Sequence, residues 1–329
     1  MRDRCMERCV TVTGCAGYMG SLVCSSLLRK GYKVRGLDSL LHGGSALLGL
    51  YQYENFQFVN GDIRDEQLLT EALEGADAVV HLAAIVGDPA CARQPEIARS
   101  VNLEGSLRLL EVAKERGVEQ LMFASTCSNY GRMADPTRYA CEESPLAPLS
   151  LYAETKVVVE KALLGYEGSH PAVTVLRFAT VFGVSPRMRF DLTVNEFALE
   201  LQTKRKLVIF GEQFWRPYVH VRDAASAVVL ALESPTEKVR GQVFNVGDTD
   251  QNYQKRQIVE LVRSQIPGSV DIQSVPRNED PRDYRVSFEK IRRELNFRIT
   301  IAIEAGIREV LDVIRKKVIV NFEDVCYRN

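Results

Sequence analysis

Tyr152 and Lys156 stand four residues apart in the stretch "YAETK". On a helix that spacing puts a phenol and an ammonium on one face. The chain has 12 tyrosines, and Tyr152 is the one followed by a lysine at this interval. A phenol titrates near 10. To act as a base near neutral pH it must drop by about 3 units, or roughly 4 kcal/mol. One positive charge about 4 Å away, at an effective dielectric near 20, supplies about that much. Lys156 is a candidate for that charge, an oxidised nicotinamide ring would add a second, and burial would oppose both. The pair therefore makes chemical sense as a base beside a bound cofactor. Without one it reads as an exposed aromatic with a solvated lysine. Thr126, in "FASTCSNYG", lies 26 positions before Tyr152 and is followed by Cys127 and Ser128. By itself it is either a further member of the set or an ordinary strand end.

A second group of residues suits phosphate. In "TGCAGYMG", Gly14, Gly17 and Gly20 recur every third residue. The first permits a sharp turn, the second a close approach of backbone N–H groups to a pyrophosphate, the third tight packing of helix on strand. The helix that follows would turn unpaired N–H groups and a partial positive charge toward the phosphates. Asp38 closes "VRGLD", 18 residues beyond Gly20. An acid there accepts hydrogen bonds from both ribose hydroxyls and repels a 2′-phosphate, which favours NAD over NADP. Lys33 and Arg35 nearby moderate that preference. Asp62, in "NGDIRD", either meets the adenine or caps the next helix.

These residues need elements to hold them. "CVTVTG", "YKVRGLD", "FQFVNGD", "AVVHLAA", "QLMFAS" and "VTVLRFA" read as strands. Helical patterns fall between them: "SLVCSSLLRKG", "DEQLLTEALEG", "PEIARSVNLEGSLRLLEVAKERG" and "LSLYAETKVVVEKALLGY", the last begun by Pro148. Alternating strands and helices imply an α/β fold with a parallel sheet and right-handed crossovers. After about residue 183 the rhythm changes. A helix in "DLTVNEFALELQTK" precedes strands in "KLVIFG" and "RPYVHV", a helix in "RDAASAVVLALES" and a strand in "GQVFNVG". A further helix, the loop "VPRNEDPRDYR" and a long helix from about Thr300 complete the chain. No low-complexity linker separates the halves, so a smaller C-terminal domain should share the core.

The bulk properties agree. With 329 residues and 46% apolar residues, the chain can bury a substantial core. A net charge of −1 gives no general attraction to nucleic acid or anionic lipid. No segment approaches the roughly 20 apolar residues of a membrane span. "MRDRCMERC" lacks the apolar run of a secretory signal, so a cytoplasmic, reducing location is expected. The eight cysteines form no Cys-x-x-Cys pair. Cys5 and Cys9 have no nearby His or further Cys to complete a metal site, and none is expected.

"TGCAGYMG", "HLAA" (His81 to Ala84), "STCSNYG" and "YAETK", in this order, resemble the extended short-chain dehydrogenase/reductase family, and within it the nucleotide-sugar epimerases and dehydratases. The resemblance runs from about residue 8 to 315. It implies a Rossmann-type doubly wound sheet holding NAD and a smaller, partly interleaved domain closing over a sugar nucleotide. The expected division is 1–180 with a return segment at about 216–247, against 183–215 with 248–329. It implies cofactor contacts at Gly14, Gly17, Tyr18, Met19, Gly20, Asp38, Asp62, Ile63, Leu82, Ala83, Ala84, Tyr152 and Lys156. Asn102, in "VNLEG", matches an asparagine that steadies the active-site helix and is grouped with them. Tyr152 matches the base, Lys156 its helper, and Thr126 the hydroxyl that bonds the reacting oxygen. Arg216, in "RPYVHVRD", would meet the substrate diphosphate, Asn195 the backbone or a phosphate, and one of Arg277 and Arg282 the second phosphate. The family also pairs subunits through helices near 97–116 and 149–165, so a homodimer is expected.

Members that eliminate water resemble one another in carrying acids at the two positions after the threonine. Cys127 and Ser128 stand there in this chain. A serine is no free base and a thiol is at best a substitute acid. C4 epimerisation of a nucleotide hexose, with hydride lent to NAD and returned to the other face of a 4-keto sugar, is therefore the first reading. A reductase, dehydrogenase or 4,6-dehydratase of the same fold is the second. A non-enzymatic NAD-binding sensor is the third, and intact Thr126, Tyr152 and Lys156 argue against it. Thr180, in "RFAT", replaces the asparagine of the epimerases' "RYFN", so the sugar is not specified.

Overall fold

The computed structural model describes residues 8–133, 135, 138–276 and 283–329. Six parallel strands form in the first half: β1 (Cys9–Thr13), β2 (Lys33–Asp38), β3 (Phe56–Asn60), β4 (Ala78–His81), β5 (Gln120–Thr126) and β6 (Ala172–Phe178). Each coincides with an expected strand. Their sequences are apolar or β-branched almost throughout, because helices cover both faces. In β1, Val10, Thr11, Val12 and Thr13 are all fully buried. The hydroxyl of Thr11 survives there by donating to Ala72 O at 2.6 Å.

The intervening helices are α1 (Gly20–Arg29), α2 (Glu66–Leu73), α3 (Asp88–Arg93), α4 (Pro95–Arg99), α5 (Ser106–Glu115) and α6 (Leu151–Leu164). The single helix expected between 95 and 117 is broken by a π-helical stretch over Ser100–Gly105. Two contacts explain it. Gly105 abuts Ile63, which would lie 3.0 Å from any Cβ added there. Asn102 reaches sideways to the backbone of Ile85. Wider turns of this kind aim a side chain that regular spacing would misplace. Helix α6 begins at Leu151 and not at Pro148. Ser150 caps it by accepting from Ala153 N.

After β6 the chain forms β7 (Thr180–Phe182), α7 (Thr193–Thr203), β8 (Lys206–Phe210), β9 (Trp215–His220), α8 (Val221–Glu233), α9 (Thr236–Val239) and β10 (Gln242–Val246). There follow β11 (Asn252–Gln254), α10 (Lys255–Arg263), β12 (Asp271–Val275), α11 (Glu289–Leu295) and α12 (Ile303–Arg315). The large sheet has seven strands in the order β10-β6-β5-β4-β1-β2-β3. Of the return segment expected at 216–247, α8 and β10 rejoin this sheet. β9 instead pairs with β7 and β11 in a sheet of three, and β8 pairs with β12.

Apolar clusters fill both faces of the large sheet. A third, built on Phe190, Phe197, Ile258 and Leu311, forms under α7, α10 and α12. Successive connections diverge between β1 and β4, where strand order reverses. Such a reversal opens a crevice at the carboxyl ends of the strands. Among the described residues, no helix is long and apolar enough to cross a membrane.

Candidate active site

A cavity of about 580 Å³ occupies that crevice. Its floor is the loop after β1. Gly14 has φ +75°, and a Cβ there would lie 2.8 Å from Ala83 N. A Cβ at Gly20 would lie 2.0 Å from Gly14 O, so the third glycine lets α1 begin directly against the turn. At Gly17 an added Cβ would meet Gly14 O at 3.0 Å and otherwise face open space. At the three glycines the floor is therefore bare backbone.

At its rim, Asp38 ends β2. One carboxylate oxygen accepts from Ala16 N at 2.9 Å and the other from Leu40 N at 2.8 Å. Burial raises its pKa above the usual range, opposed by those two bonds and by the charge of Arg187. Each oxygen keeps a lone pair for a diol. Asp62 and Ile63 line the same end. Asp62 does not cap α2; Asp65 does. Asp62 instead pairs with Arg64, Nη2 to Oδ2 at 2.7 Å, and the hydrogen bonds from that side chain hold its carboxyl below the usual range.

The opposite wall comes from the ends of β4 and β5 and the start of α6. Leu82, Ala83 and Ala84 line it and are fixed from behind. His81 is buried, and burial first, then Lys156, lower its pKa to about 3. The neutral ring must donate with one nitrogen and accept with the other. Ser106 Oγ donates to Asn102 O at 2.7 Å, so it accepts from His81 Nε2 at 2.9 Å. His81 Nδ1 then accepts from Thr13 Oγ1 at 2.7 Å, and Thr13 Oγ1 accepts from Ala83 N at 3.3 Å. Every proton in this chain has a partner. Asn102 lies behind the wall and not on the cavity, its amide clasping Ile85 N and O at 2.7 and 2.9 Å.

Thr126, Ser128, Tyr152 and Lys156 all face the cavity. Thr126 ends β5, and its Oγ1 accepts from Ser128 N at 3.1 Å and meets Ser128 Oγ at 2.8 Å. Burial raises the Tyr152 phenol above its ordinary range; Cys91 and Asp88 add to the shift and Arg189 opposes it. Lys156 Nζ donates to Ala124 O at 2.8 Å and sits 5.9 Å from the Tyr152 ring centroid. Burial lowers its pKa to about 8, with Glu160 opposing.

Cys127 turns away. It is 1% exposed, its Sγ lies 3.2 Å from Arg177 O, and burial carries its pKa well above the ordinary thiol value. Beneath it Arg177 grips Glu160, Nη2 to Oε2 at 2.7 Å, while Asn129 Nδ2 donates to Glu160 Oε1 at 2.7 Å. Ser125 also donates to Glu160. This buried ion pair fixes the turn that carries Thr126 and Ser128.

The remaining wall belongs to the second half of the chain. Arg216 is buried, lines the cavity and stacks 5.4 Å from the Tyr284 ring centroid. Asn195 is fully buried and does not reach the cavity. Its Oδ1 accepts from Gly183 N at 3.0 Å and its Nδ2 donates to Arg189 O at 2.8 Å. Arg277 and Arg282 lie outside the described residues.

Comparison with known proteins gives the arrangement a lineage. Residues 10–247 match the model of the NAD dependent epimerase/dehydratase family. The chain belongs to that family. A UDP-glucose 4-epimerase of Corynebacterium glutamicum is 30% identical over 305 residues, covering 87% of this chain and 89% of that protein. The structure of UDP-glucose 4-epimerase from Thermus thermophilus, in complex with NAD, superposes with a TM-score of 0.82 at 28% identity, over 94% of this chain and 99% of that one. A dTDP-glucose 4,6-dehydratase from Streptomyces venezuelae superposes with a TM-score of 0.84 at 26% identity, over 94% and 97%. As in other NAD-dependent epimerase/dehydratase family members, the cofactor is NAD, and the bare glycine cradle and the doubly anchored Asp38 fit it.

Arg187, Arg189, His42 and Asp88 also line the cavity, and sequence reasoning passed over them. The one available signal was "SPRMRF", two arginines spaced as on one edge of an extended segment just after β7.

Proposed function

We propose that the protein is an NAD-dependent nucleotide-sugar 4-epimerase acting on a nucleoside-diphosphate hexose. The observation that carries this reading is the environment of Thr126. A hydroxyl, a phenol and a buried ammonium line the same wall of the cavity, and the two residues after Thr126 supply no acid. Cys127 is packed against Arg177 O, and Ser128 is spent on Thr126. The carboxylate near this wall, Asp88, accepts from Ser150 Oγ at 2.7 Å. Elimination of water needs a positioned acid and base, whereas epimerisation at C4 needs one proton carrier.

In this reading Thr126 orients the C4 hydroxyl and Tyr152 carries its proton away and back. Lys156 keeps a positive charge beside the phenol in a wall of low dielectric, where that charge is worth more than in water. Bound NAD supplies a reversible hydride acceptor and is regenerated. Gly14, Gly17, Tyr18, Met19 and Gly20 hold its diphosphate; Asp38 holds the ribose and Asp62 with Ile63 the adenine. Arg216, with one of Arg277 and Arg282, holds the substrate diphosphate, for which a forked guanidinium is suited. Asn102 and Asn195 act by positioning backbone. The functional division is 1–180 with the return through α8 and β10, against 183–215 with 248–329. The protein works as a cytoplasmic homodimer.

The test is product analysis. The protein is incubated with UDP-glucose, UDP-galactose and their N-acetyl, dTDP and GDP counterparts, and products are read by NMR while NADH is followed at its absorbance. C4 epimers with no net NADH are expected. Net NADH or a 4-keto-6-deoxy product would move the protein to the reductase, dehydrogenase or dehydratase reading. Binding without turnover would make it a sensor.

A further inference from the structure

Arg187 is a buried cation in a peculiar setting. It is 5% exposed and lines the cavity. Its hydrogen bonds go to neutral acceptors, all in the last residues of the sequence. Nε donates to Cys326 O at 3.2 Å; Nη2 donates to Arg328 O at 3.1 Å and to Asn329 Oδ1 at 2.8 Å. Among the described residues no carboxylate comes within ion-pair distance of it, and Nη1 makes no hydrogen bond. Arg189, two residues on, is by contrast neutralised by Asp191, with Nε–Oδ1 at 3.0 Å and Nη2–Oδ2 at 2.6 Å. A buried charge held by carbonyls and not by an anion is costly. The guanidinium pKa is lowered to about 10, first by burial and then by Arg189.

Its position relative to the phosphate loop is fixed by two nearby ties. Tyr18 OH donates to Gly183 O at 2.6 Å, and Ser185 Oγ donates to Tyr18 O at 2.5 Å. The segment carrying Arg187 is thus bonded to the glycine loop itself. The charge of Arg187 acts on Asp38 and on His42, both at the dinucleotide end of the cavity.

The segment 322–329 that holds the guanidinium also crosses the crevice. On the C-terminal side Phe190 N donates to Tyr327 O at 2.9 Å, and the Phe190 ring meets those of Phe322 and Tyr327 edge-on at 5.3 and 6.0 Å. On the dinucleotide side Asn329 Nδ2 donates to Val86 O at 3.2 Å, and Arg93 Nη2 donates to Asn329 O at 2.8 Å. Asn329 itself lines the cavity.

We infer that Arg187 is a phosphate residue for the dinucleotide, opposite the glycine loop, and that segment 322–329 is the strap that aims it and slows cofactor exchange. The inference rests on the reading that the cavity takes NAD. It fits a reaction that returns its hydride, since a regenerated cofactor never needs to leave. The diphosphate supplies the anion that the neutral strap does not, and the strap supplies the rigidity that a lone arginine lacks.

The experiment measures NAD retention directly. Full-length wild type, Arg187→Met, Arg187→Lys and the strap variant Arg93→Ala/Asn329→Ala are purified. Co-purified NAD is quantified after denaturation, and exchange of bound NAD for a fluorescent etheno analogue is timed. UDP affinity is measured by calorimetry, and thermal melts of each variant establish folding. Loss of a charge-assisted contact corresponds to a change of roughly ten- to a hundredfold. Exchange should accelerate by that factor in Arg187→Met and by less in Arg187→Lys. The strap variant should also accelerate it, with little added effect in an Arg187→Met background, because both act through one guanidinium. UDP affinity should stay within about twofold. If Arg187→Met does not fold, Arg187→Lys and the strap variant carry the same comparison. Wild-type exchange rates in the variants would overturn the inference while leaving the epimerase reading intact. So would a fall in UDP affinity with unchanged NAD exchange, which would assign Arg187 to the substrate. A wild-type chain that binds no dinucleotide would overturn both.

Discussion

Tyr152 and Lys156 show how a residue pair takes its properties from its surroundings. Lys156 is buried and Tyr152 half-buried, and desolvation opposes charge on each. In the cofactor-free site burial therefore holds the phenol above its ordinary range and lowers the ammonium to about 8, so the role proposed for Tyr152 depends on the positive charge that bound NAD brings. Tyr152→Phe removes the hydroxyl of the proposed proton carrier and changes little else. Turnover should fall by roughly 10²–10⁴-fold while NAD still co-purifies, and normal turnover in that variant would refute the assignment. Lys156 carries a stability consequence whose sign is fixed. Its pKa is about 8 folded against an unfolded value of 10.5, so the unfolded chain binds more protons between those limits. Stability should rise with pH across that window, and below about pH 8 the buried cation is a full penalty. In the cofactor-free protein, wild type should gain about 3 kcal/mol relative to Lys156→Met between pH 8 and 10.5. Denaturant melts of the two proteins at each pH read the difference, so the buried thiols, which titrate in the opposite sense, cancel. A parallel pair of curves would show that Lys156 is solvated.

At the scale of elements, the site is an agreement between turns. The glycine cradle works because α1 can start against the turn that ends β1. Gly20→Ala places a methyl 2.0 Å from Gly14 O, 2.8 Å from Gly14 C and 2.9 Å from Cys15 Cα, all backbone. Nothing there can rotate aside. The variant should lose more than about 2 kcal/mol of stability and most of its co-purified NAD. Gly49→Ala, with no atom within 4 Å of the new methyl, is the control and should stay within about 0.5 kcal/mol. A Gly20→Ala protein with normal melting and NAD content would show that the loop relaxes more easily than its geometry allows. The π-helical stretch at Ser100–Gly105 is the companion device. It lets Asn102 brace Ile85 while Ser106 braces His81, so two points on the dinucleotide wall hang from one deformation of one helix.

At the scale of the molecule, the proposed homodimer has a place to form. Ile97 in α4, Leu149 just before α6 and Val158 in α6 are 44%, 53% and 47% exposed, which is high for large apolar side chains. A charge at Val158 should prevent association through that helix. Sedimentation should give a dimer for wild type and a monomer for Val158→Glu, with the monomer keeping its fold by circular dichroism. A monomeric wild type would remove the dimer from the proposal. Much of the molecule was legible without coordinates. Strand and helix periods, three glycines at fixed spacing, Asp38 and the Tyr152–Lys156 interval are local signals, set by backbone geometry within a few residues. They gave the large sheet, the glycine turn at the cavity floor and the Tyr152–Lys156 pair on its wall. What the sequence could not show depends on residues far apart in the chain. The break in the helix at Ser100 answers to Ile85 and Ile63. The inward turn of Cys127 answers to Arg177, the withdrawal of Asn195 to Gly183 and Arg189, and the aim of Arg187 to carbonyls about 140 residues later. Each is a hydrogen bond or a packing contact that exists only after the sheet has brought its partners together. Local pattern thus determined which elements form and what chemistry they carry, and tertiary contact decided which side chains reach the cavity.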